Sequence, residues 1–370
     1  MRITDLDVKR YADPDNAKSA SGYGAQIIVV RLSTDSGITG LSFISGSEVS
    51  APIIELMLCS AIRPYLLGKD PTETSVLWDA MYHELLPRRG GDGLMRHAIA
   101  AVDFALWDVK GKVAGLPVWR LLGSRRKNVP TYANCAHHLP VDALAERASE
   151  YVKNGHRALK IRGTRSFVSL AEATARVIAV REAVGPDVRI MVDVNGTWDV
   201  DTAIRQLRDW KPYNVYWLEE PVPPHDFDGY RRVKARSGDT YIVGGEQHVG
   251  LAEFKNLIEH DCVDIVQPNA ALTGGITDWL QIHAYATARS IPVSPWNLQQ
   301  VHIHMAAALP NVQWIEYFMP DNALLEFQGK LLAGSSLTEV RQEDGLYLEA
   351  PESPGLGIEL DAEIADRAVL

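Results

Sequence analysis

The segments RIMVDVN (189–195), VYWLEEP (215–221) and YIVGGE (241–246) decide the fold of this chain. Each begins with a short apolar run that predicts a buried strand, and each run leads to an acidic residue: Asp193, Glu219 or Glu246. The acids are 26 residues (219 minus 193) and 27 residues (246 minus 219) apart, and a strand–helix–strand unit needs about 30 residues. If the three strands are parallel neighbours, all three carboxylates emerge at the same end of one sheet.

This spacing predicts a metal site. A single acid after a strand is more often a helix N-cap or a surface residue. Three acids in phase, each at the carboxyl end of an apolar run, are much harder to explain as caps. Carboxylate ligands without Cys or His at the matching positions suit Mg²⁺ or Mn²⁺ better than zinc. The sequence therefore predicts a metal-dependent enzyme in which Asp193, Glu219 and Glu246 are the ligands.

Size and composition narrow the class of protein. A chain of 370 residues is long enough for an α/β barrel with a second, smaller domain. The net charge of −10 argues against a nucleic-acid partner. Three widely separated cysteines without CxxC spacing fit free thiols in a reducing compartment. We find neither a signal peptide nor an apolar run long enough for a membrane span, and we expect a cytoplasmic enzyme with a small-molecule substrate.

The organisation along the chain predicts two domains. Residues 3–11 and 24–44 alternate like the strands of a meander, and residues 97–115 form a buried helix that Gly115 ends. We assign residues 1–125 to a capping domain that also takes up residues 335–370, and residues 126–334 to a barrel. Eight barrel strands are predicted, one of them possibly irregular: VPTYANCA (129–136), RALKIR (157–162), RIMVDV (189–194), VYWLE (215–219), YIVGG (241–245), VDIVQP (263–268), IPVSPW (291–296) and VQWIEYF (312–318).

The carboxyl ends of barrel strands build the active site. Besides the three acids, Lys160 and Arg162 are placed there, two residues apart on one strand and so facing the same side. A lysine beside an arginine and a metal ion has a lowered pKa, which favours Lys160 as a general base. Arg162 stays protonated and is predicted to hold an oxyanion or a hydroxyl. The predicted substrate-binding residues at the same strand ends are Asn134, Asn195, His248, Asn269, Trp296 and Glu316.

These motifs together resemble a known family. The set LKIR (159–162), VDVNG (192–196), WLEEP (217–221), GGE (244–246) and VDIVQPN (263–269), with VDFALWDVKGK (102–112) and PGLGIELD (354–361), is similar to the mandelate racemase and muconate-lactonising groups of the enolase superfamily. The resemblance implies an α+β capping domain on a modified (β/α)7β TIM-like barrel. It also implies Mg²⁺ at Asp193, Glu219 and Glu246, and a symmetric homo-oligomer.

The departures from the family pattern limit the reaction. The racemase pattern has a second lysine where this chain has Arg162, and an Asp and a His where it has Asn269 and Trp296. The muconate-lactonising pattern has a lysine at Asn269. Racemisation needs a base on each face of the carbon, whereas dehydration of a sugar acid can use one residue as base and then as acid. We therefore expect a Mg²⁺-dependent sugar-acid dehydratase.

Two alternatives stay open at this point. The first is a cycloisomerase, epimerase or racemase of the same superfamily, and the second is a metal-binding homologue without catalysis. Reserve candidates for the base, after Lys160, are His248, His302, His137 and Tyr23. His302 and His304 each fit a structural role better than a catalytic one.

Overall fold

The computed structural model describes residues 1–15, 24–85, 92–135, 139–163, 169–320, 322, 324–335 and 337–370. The amino-terminal part opens with an antiparallel meander, as the alternating pattern predicts: β1 (Ile3–Ala12), β2 (Gln26–Thr34) and β3 (Thr39–Gly46), in the order β1-β2-β3. Five helices follow: α1 (Ser50–Met57), α2 (Arg63–Leu66), α3 (Thr74–Ala80), α4 (Leu94–Ala114) and α5 (Val118–Leu122).

Helix α4 is the centre of the capping domain. It is apolar nearly all round and packs against β3, α1 and α11 (Ala270–Thr273). Gly115 ends it with a φ of 66°, a left-handed conformation that glycine adopts at low cost. Two buried acids lie within it, Asp103 and Asp108. Asp103 accepts hydrogen bonds from Thr277 N (3.0 Å) and Thr277 Oγ1 (2.6 Å), which fastens the capping domain to the barrel.

The barrel part alternates strands and helices. Its strands are β4 (Asn128–Asn134), β5 (Ala158–Arg162), β6 (Arg189–Asp193), β7 (Val215–Glu219), β8 (Tyr241–Gly244), β9 (Ile265–Val266) and β10 (Ile315–Tyr317). The sheet runs β4-β5-β6-β7-β8-β9 in parallel, and β10 pairs with β4. The helices that precede α11 in this part are α6 (Val141–Lys153), α7 (Leu170–Val184), α8 (Val200–Trp210), α9 (Phe227–Lys234) and α10 (Gly250–Glu259). The helices that follow it are α12 (Ile276–Ala288), α13 (Gln299–Ala308) and α14 (Glu326–Leu331).

The seventh predicted strand, residues 291–296, forms no regular strand. Val293 makes single parallel bridges to Val266 and to Val312, and these bridges continue the order toward β10. Pro292 and Pro295 lack the N–H groups that a ladder requires, which explains the short contact.

The register of the sheet positions the site. Arg162 is the Cα partner of Asp193, which is the partner of Glu219, so these three residues lie at one level. Lys160 is the partner of Met191 and lies one layer deeper. That deeper layer is closed by a small aromatic and aliphatic cluster containing Tyr132, Met191 and Trp217.

The carboxyl-terminal residues make two separate contacts, one with the barrel sheet and one with the amino-terminal part. The hairpin β11 (Thr338–Gln342) and β12 (Gly345–Glu349) adds antiparallel to β4 and so joins the barrel sheet. The following tail returns to the amino-terminal part: Leu356 N donates to Asp108 Oδ1 (2.7 Å), and Leu370 N, after α15 (Ala362–Ala368), donates to Arg10 O (2.9 Å). Among the described residues, no helix has the length and apolar character of a membrane span.

Candidate active site

Three carboxylates converge at the carboxyl end of the parallel sheet. Asp193 ends β6, Glu219 ends β7, and Glu246 follows β8 by two residues. One oxygen from each lies within 4.8 Å of the others, and all three residues are buried. Hard oxygen atoms at this spacing can hold a divalent cation of the Mg²⁺ type.

Two cationic side chains reach this cluster from β5, at different depths. Arg162 Nη1 lies 2.9 Å from Asp193 Oδ2, level with the carboxylates. Lys160 Nζ rises from the layer below to within 2.7 Å of Glu219 Oε1 and 2.9 Å of Glu316 Oε1, and its side chain is 1% exposed. Both cations face the acidic cluster, at different heights, because alternate strand residues share a face but lie at successive levels of the strand.

Negative charge in the cluster exceeds positive charge. In the part of the chain that the structure describes, five carboxylates, the three above with Glu220 and Glu316, meet the two cations Lys160 and Arg162 and no other. Burial, together with the carboxylates of Glu220 and Asp193, raises the pKa of Glu246 well above its ordinary value. Glu246 Oε2 has no hydrogen-bond partner among the residues that the structure describes. Buried carboxylates in this condition fit a bound dication, which would supply the missing charge and accept the free oxygen as a ligand.

The pKa of Lys160 reflects the same excess of negative charge. Burial lowers this pKa, but the carboxylates of Glu219 and Glu316 raise it by more, so that it lies well above its ordinary value. Lys160 therefore carries a proton when no metal charge compensates the carboxylates. The lowered pKa that the sequence predicts for Lys160 depends on the charge of a metal ion.

Several predicted substrate-binding residues lie at this mouth. Asn195 Nδ2 donates to Glu246 Oε1 (2.7 Å), and Asn195 has a positive φ of 48°, which turns the chain directly after Asp193. On the opposite side, Asn134 Nδ2 donates to Glu316 Oε1 (2.7 Å). Arg162 Nη1 is paired with Asp193, but its largely buried Nε has no hydrogen-bond partner among the described residues. This Nε donor is available to an anionic oxygen of a ligand.

Three further predictions have mixed outcomes. Asn269 is buried where expected, but its Oδ1 caps α11 by accepting from Ala271 N (2.8 Å). Trp296 is half-buried between Val293 and α13. His248 packs against Phe227 of α9 and Phe254 of α10. Its Nε2 lies 2.9 Å from Pro224 O, so the ring belongs to the packing of these outer helices and not to the acidic cluster.

The histidines of α13 are structural, as expected. His302 Nε2 accepts from Ala270 N (3.1 Å), and its Nδ1 donates to Asn297 O (2.5 Å). His304 is held in the same way between Trp119 N and Leu356 O. Burial lowers the pKa of both rings to about 4, so both are neutral. The other reserve bases, Tyr23 and His137, lie outside the described residues.

Two site residues received no role from the sequence. Glu220 accepts from Gln247 Nε2 (2.7 Å), and burial, followed by the charge of Asp193, raises its pKa to about 7. Asn297 N donates to Glu316 Oε2 (3.1 Å) and so holds the carboxylate that Lys160 contacts. The doubled acid in WLEEP was the available signal for Glu220. Asn297 contributes through its backbone, which a sequence does not reveal.

Family comparison agrees with this geometry over most of the chain. Residues 4–123 match the mandelate racemase/muconate lactonizing enzyme N-terminal domain, and residues 143–364 match the enolase C-terminal domain-like family. The chain belongs to the enolase superfamily, in its mandelate racemase/muconate-lactonising family. The modified (β/α)7β architecture with an α+β cap is thereby confirmed.

Relatives in this family act on sugar acids. The chain is 32% identical to the 3,6-anhydro-α-L-galactonate cycloisomerase of Streptomyces coelicolor, over 91% of this chain and 90% of the relative. It is 34% identical to the L-talarate/galactarate dehydratase of Salmonella typhimurium, over 83% and 77%. The crystal structure of L-talarate dehydratase from Polaromonas sp. JS666, complexed with Mg and L-glucarate, has a TM-score of 0.85 at 31% identity and covers 99% of this chain and 97% of its own.

Proposed function

We propose that this protein is a Mg²⁺-dependent enzyme that removes the proton α to the carboxylate of a sugar acid and eliminates water. The observation that carries the proposal is the buried triad Asp193, Glu219 and Glu246, whose oxygens lie within 4.8 Å of one another and whose cluster holds more carboxylates than the cations Lys160 and Arg162 neutralise. Mg²⁺ held there would withdraw charge from the substrate carboxylate and stabilise the enolate that proton loss creates.

The residues of the chain divide the remaining work. Arg162 lies level with the triad, has an unpartnered Nε donor among the described residues, and is assigned to a carboxylate or hydroxyl oxygen of the substrate. Lys160 is the proposed proton acceptor, because Arg162 stays protonated and the nitrogens of His302 are occupied. Mg²⁺ bound by Glu219 and Asp193 would compensate their negative charge. This would lower the pKa of Lys160, since both carboxylates raise that pKa.

Elimination balances with one such residue. The α-carbon loses its proton to Lys160, the bond from the β-carbon to its hydroxyl breaks, and the returning proton leaves with that hydroxyl as water. The enol product becomes a 2-keto-3-deoxy acid. Support for elimination over racemisation comes from Asn269 and Trp296, which stand where a second base would be needed and cannot accept a proton at neutral pH.

Cycloisomerisation is the second candidate. It also removes the α-proton with one base, but it opens a ring instead of expelling water. The cycloisomerase from Streptomyces coelicolor, which matches 91% of this chain, favours it. The two candidates share the triad, Lys160 and Arg162, and differ only in the substrate that the mouth accepts.

Incubation of the Mg²⁺-loaded protein with a library of acid sugars and their anhydro forms in D₂O tests the proposal. Formation of a 2-keto-3-deoxy acid from an open-chain acid supports dehydration. Ring opening of an anhydro acid without loss of water supports the second candidate. No deuterium incorporation into any member would leave a binding protein without catalysis and contradict both.

Three further parts of the proposal concern the location, the oligomeric state and the domain division of the protein. We propose a cytoplasmic, symmetric homo-oligomer whose residues 1–125 and carboxyl-terminal tail cap the barrel of residues 126–334. Light scattering behind size-exclusion chromatography measures the assembly, and a monomeric mass would contradict the oligomer.

A further inference from the structure

A cavity opens at the end of the barrel opposite to the acidic cluster. It has a volume of about 450 Å³ and is bordered by the amino ends of β4, β5, β6 and β7, the segment before β10, and the hairpin β11–β12. Cavities that hold small ligands have volumes of about 300–1,000 Å³. The residues that give this one its chemical character are Arg157, Arg189, Tyr216, Trp314 and Tyr347.

Arg157 and Arg189 lie at the amino ends of the adjacent strands β5 and β6, and both line this cavity. Arg189 N donates to Arg157 O (2.9 Å), which places the two residues side by side. The Arg189 guanidinium carbon lies 5.4 Å from the ring centre of Tyr216 and 5.3 Å from that of Trp314. These aromatic faces hold the guanidinium in place at the cavity.

Neither arginine is neutralised. Within the described residues, no carboxylate comes within ion-pair distance of Arg157 or Arg189. The one acid at the rim, Asp344, accepts from Tyr347 Oη (2.8 Å). Arg157 Nη1 donates to Val152 O (3.2 Å) and His156 O (3.0 Å), bonds that leave the charge of its guanidinium unneutralised. In a protein of net charge −10, a concave site with two guanidiniums that no carboxylate of the described residues neutralises, and with aromatic walls, is suited to an organic anion.

We propose that this cavity binds a small organic carboxylate with a flat or apolar body, its carboxylate on Arg157 and Arg189 and its body against Tyr347 and Leu346. The alternative is a purely structural role, in which Arg189, Tyr216 and Trp314 close the amino-terminal end of the barrel and stabilise the fold. The cavity shares no residue with the acidic cluster, so the proposal stands apart from the proposed function.

Ligand-detected NMR or calorimetry with benzoate as the probe tests this site in the Mg²⁺-loaded protein. We expect binding at about millimolar affinity that weakens about tenfold or more in Arg189→Gln. Arg231→Gln is the matched control, because Arg231 is an exposed arginine paired with Asp228 and its loss changes net charge equally.

Two further measurements separate the outcomes. Glu219→Gln is expected to leave benzoate binding unchanged, which places the probe away from the acidic cluster. Inorganic phosphate and neutral benzyl alcohol are expected to bind more weakly than benzoate, because each lacks one half of the recognised chemistry. Absence of benzoate binding, binding unaffected by Arg189→Gln, or binding lost in Glu219→Gln would each overturn the proposal.

Discussion

Replacement of Lys160 by methionine removes the charge from the centre of the site and keeps most of the side-chain volume. In the structure, Lys160 Nζ contacts Glu219 Oε1 at 2.7 Å and Glu316 Oε1 at 2.9 Å, and all three residues are buried. Removing one partner of a buried ion pair costs about 3–5 kcal/mol, because the other partner is left charged and unpaired. We expect a loss of this size in the free energy of unfolding of Lys160→Met in chelator.

Mg²⁺ is expected to reduce this loss of stability. The variant site holds one positive charge fewer, so Mg²⁺ is expected to bind it at least as tightly and to recover more stability than in the unchanged protein. Exchange of the substrate α-proton is expected to fall by about 10²–10⁴-fold.

Urea unfolding with and without Mg²⁺, calorimetric titration with Mg²⁺, and NMR of deuterium incorporation measure the three effects. Lys255→Met, at an exposed lysine, is the control. A loss below about 1 kcal/mol in chelator would refute the buried-pair argument. Near-normal proton exchange would show that the base lies elsewhere and leave Lys160 as a cation that holds Glu219 and Glu316.

The remaining predictions concern the metal, pH and packing. Glu219→Gln is expected to lose Mg²⁺ binding and activity together, by calorimetry and product assay. Burial raises the pKa of Asp103 to about 7, so the native state favours its protonated form, and the stability it contributes below about pH 4 is lost as pH rises to 7. The difference in unfolding free energy between the unchanged protein and Asp103→Asn should therefore shift by up to about 4 kcal/mol across that range. Gly275→Ala is expected to destabilise by about 3 kcal/mol or more, because φ is 111° and the new Cβ would lie 2.3 Å from Asp103 Oδ2; Gly37→Ala has positive φ but open space and should cost less.

Each of these has a contrary outcome. Mg²⁺ affinity and activity retained in Glu219→Gln would remove this carboxylate from the metal site. An identical pH dependence in Asp103→Asn would mean that Asp103 is ionised throughout. Equal costs for the two glycine substitutions would show that the contact of Gly275 with Asp103 relaxes freely.

The sequence predicted the parts of the fold that short-range patterns determine. The acids of β6 and β7 end their strands as the apolar runs indicated, and Gly115 ends α4. The hairpin at 338–349 carries a turn signal, Asp344-Gly345, but its first strand is mostly exposed and lacks the apolar alternation that indicates a half-buried strand. The sequence predicts a strand over residues 291–296 and allows one of the eight strands to be irregular; the prolines reduce this strand to the bridges of Val293.

The candidate site was predictable in composition but not in depth. Periodicity places Lys160 and Arg162 on one face, whereas their separation into two layers follows from the pairing of Lys160 with Met191 and of Arg162 with Asp193. That pairing depends on tertiary contacts between strands about 30 residues apart. The placement of His248 also depends on tertiary contacts, since its ring turns toward α9 and α10 after the chain has left β8.

A crystal structure of the protein grown with Mg²⁺ tests the central claim most directly. The account predicts one ion bound by oxygens of Asp193, Glu219 and Glu246 at about 2.1 Å, with open positions toward Arg162. Carboxylates that point apart around a water-filled space, or an ion bound elsewhere, would contradict it.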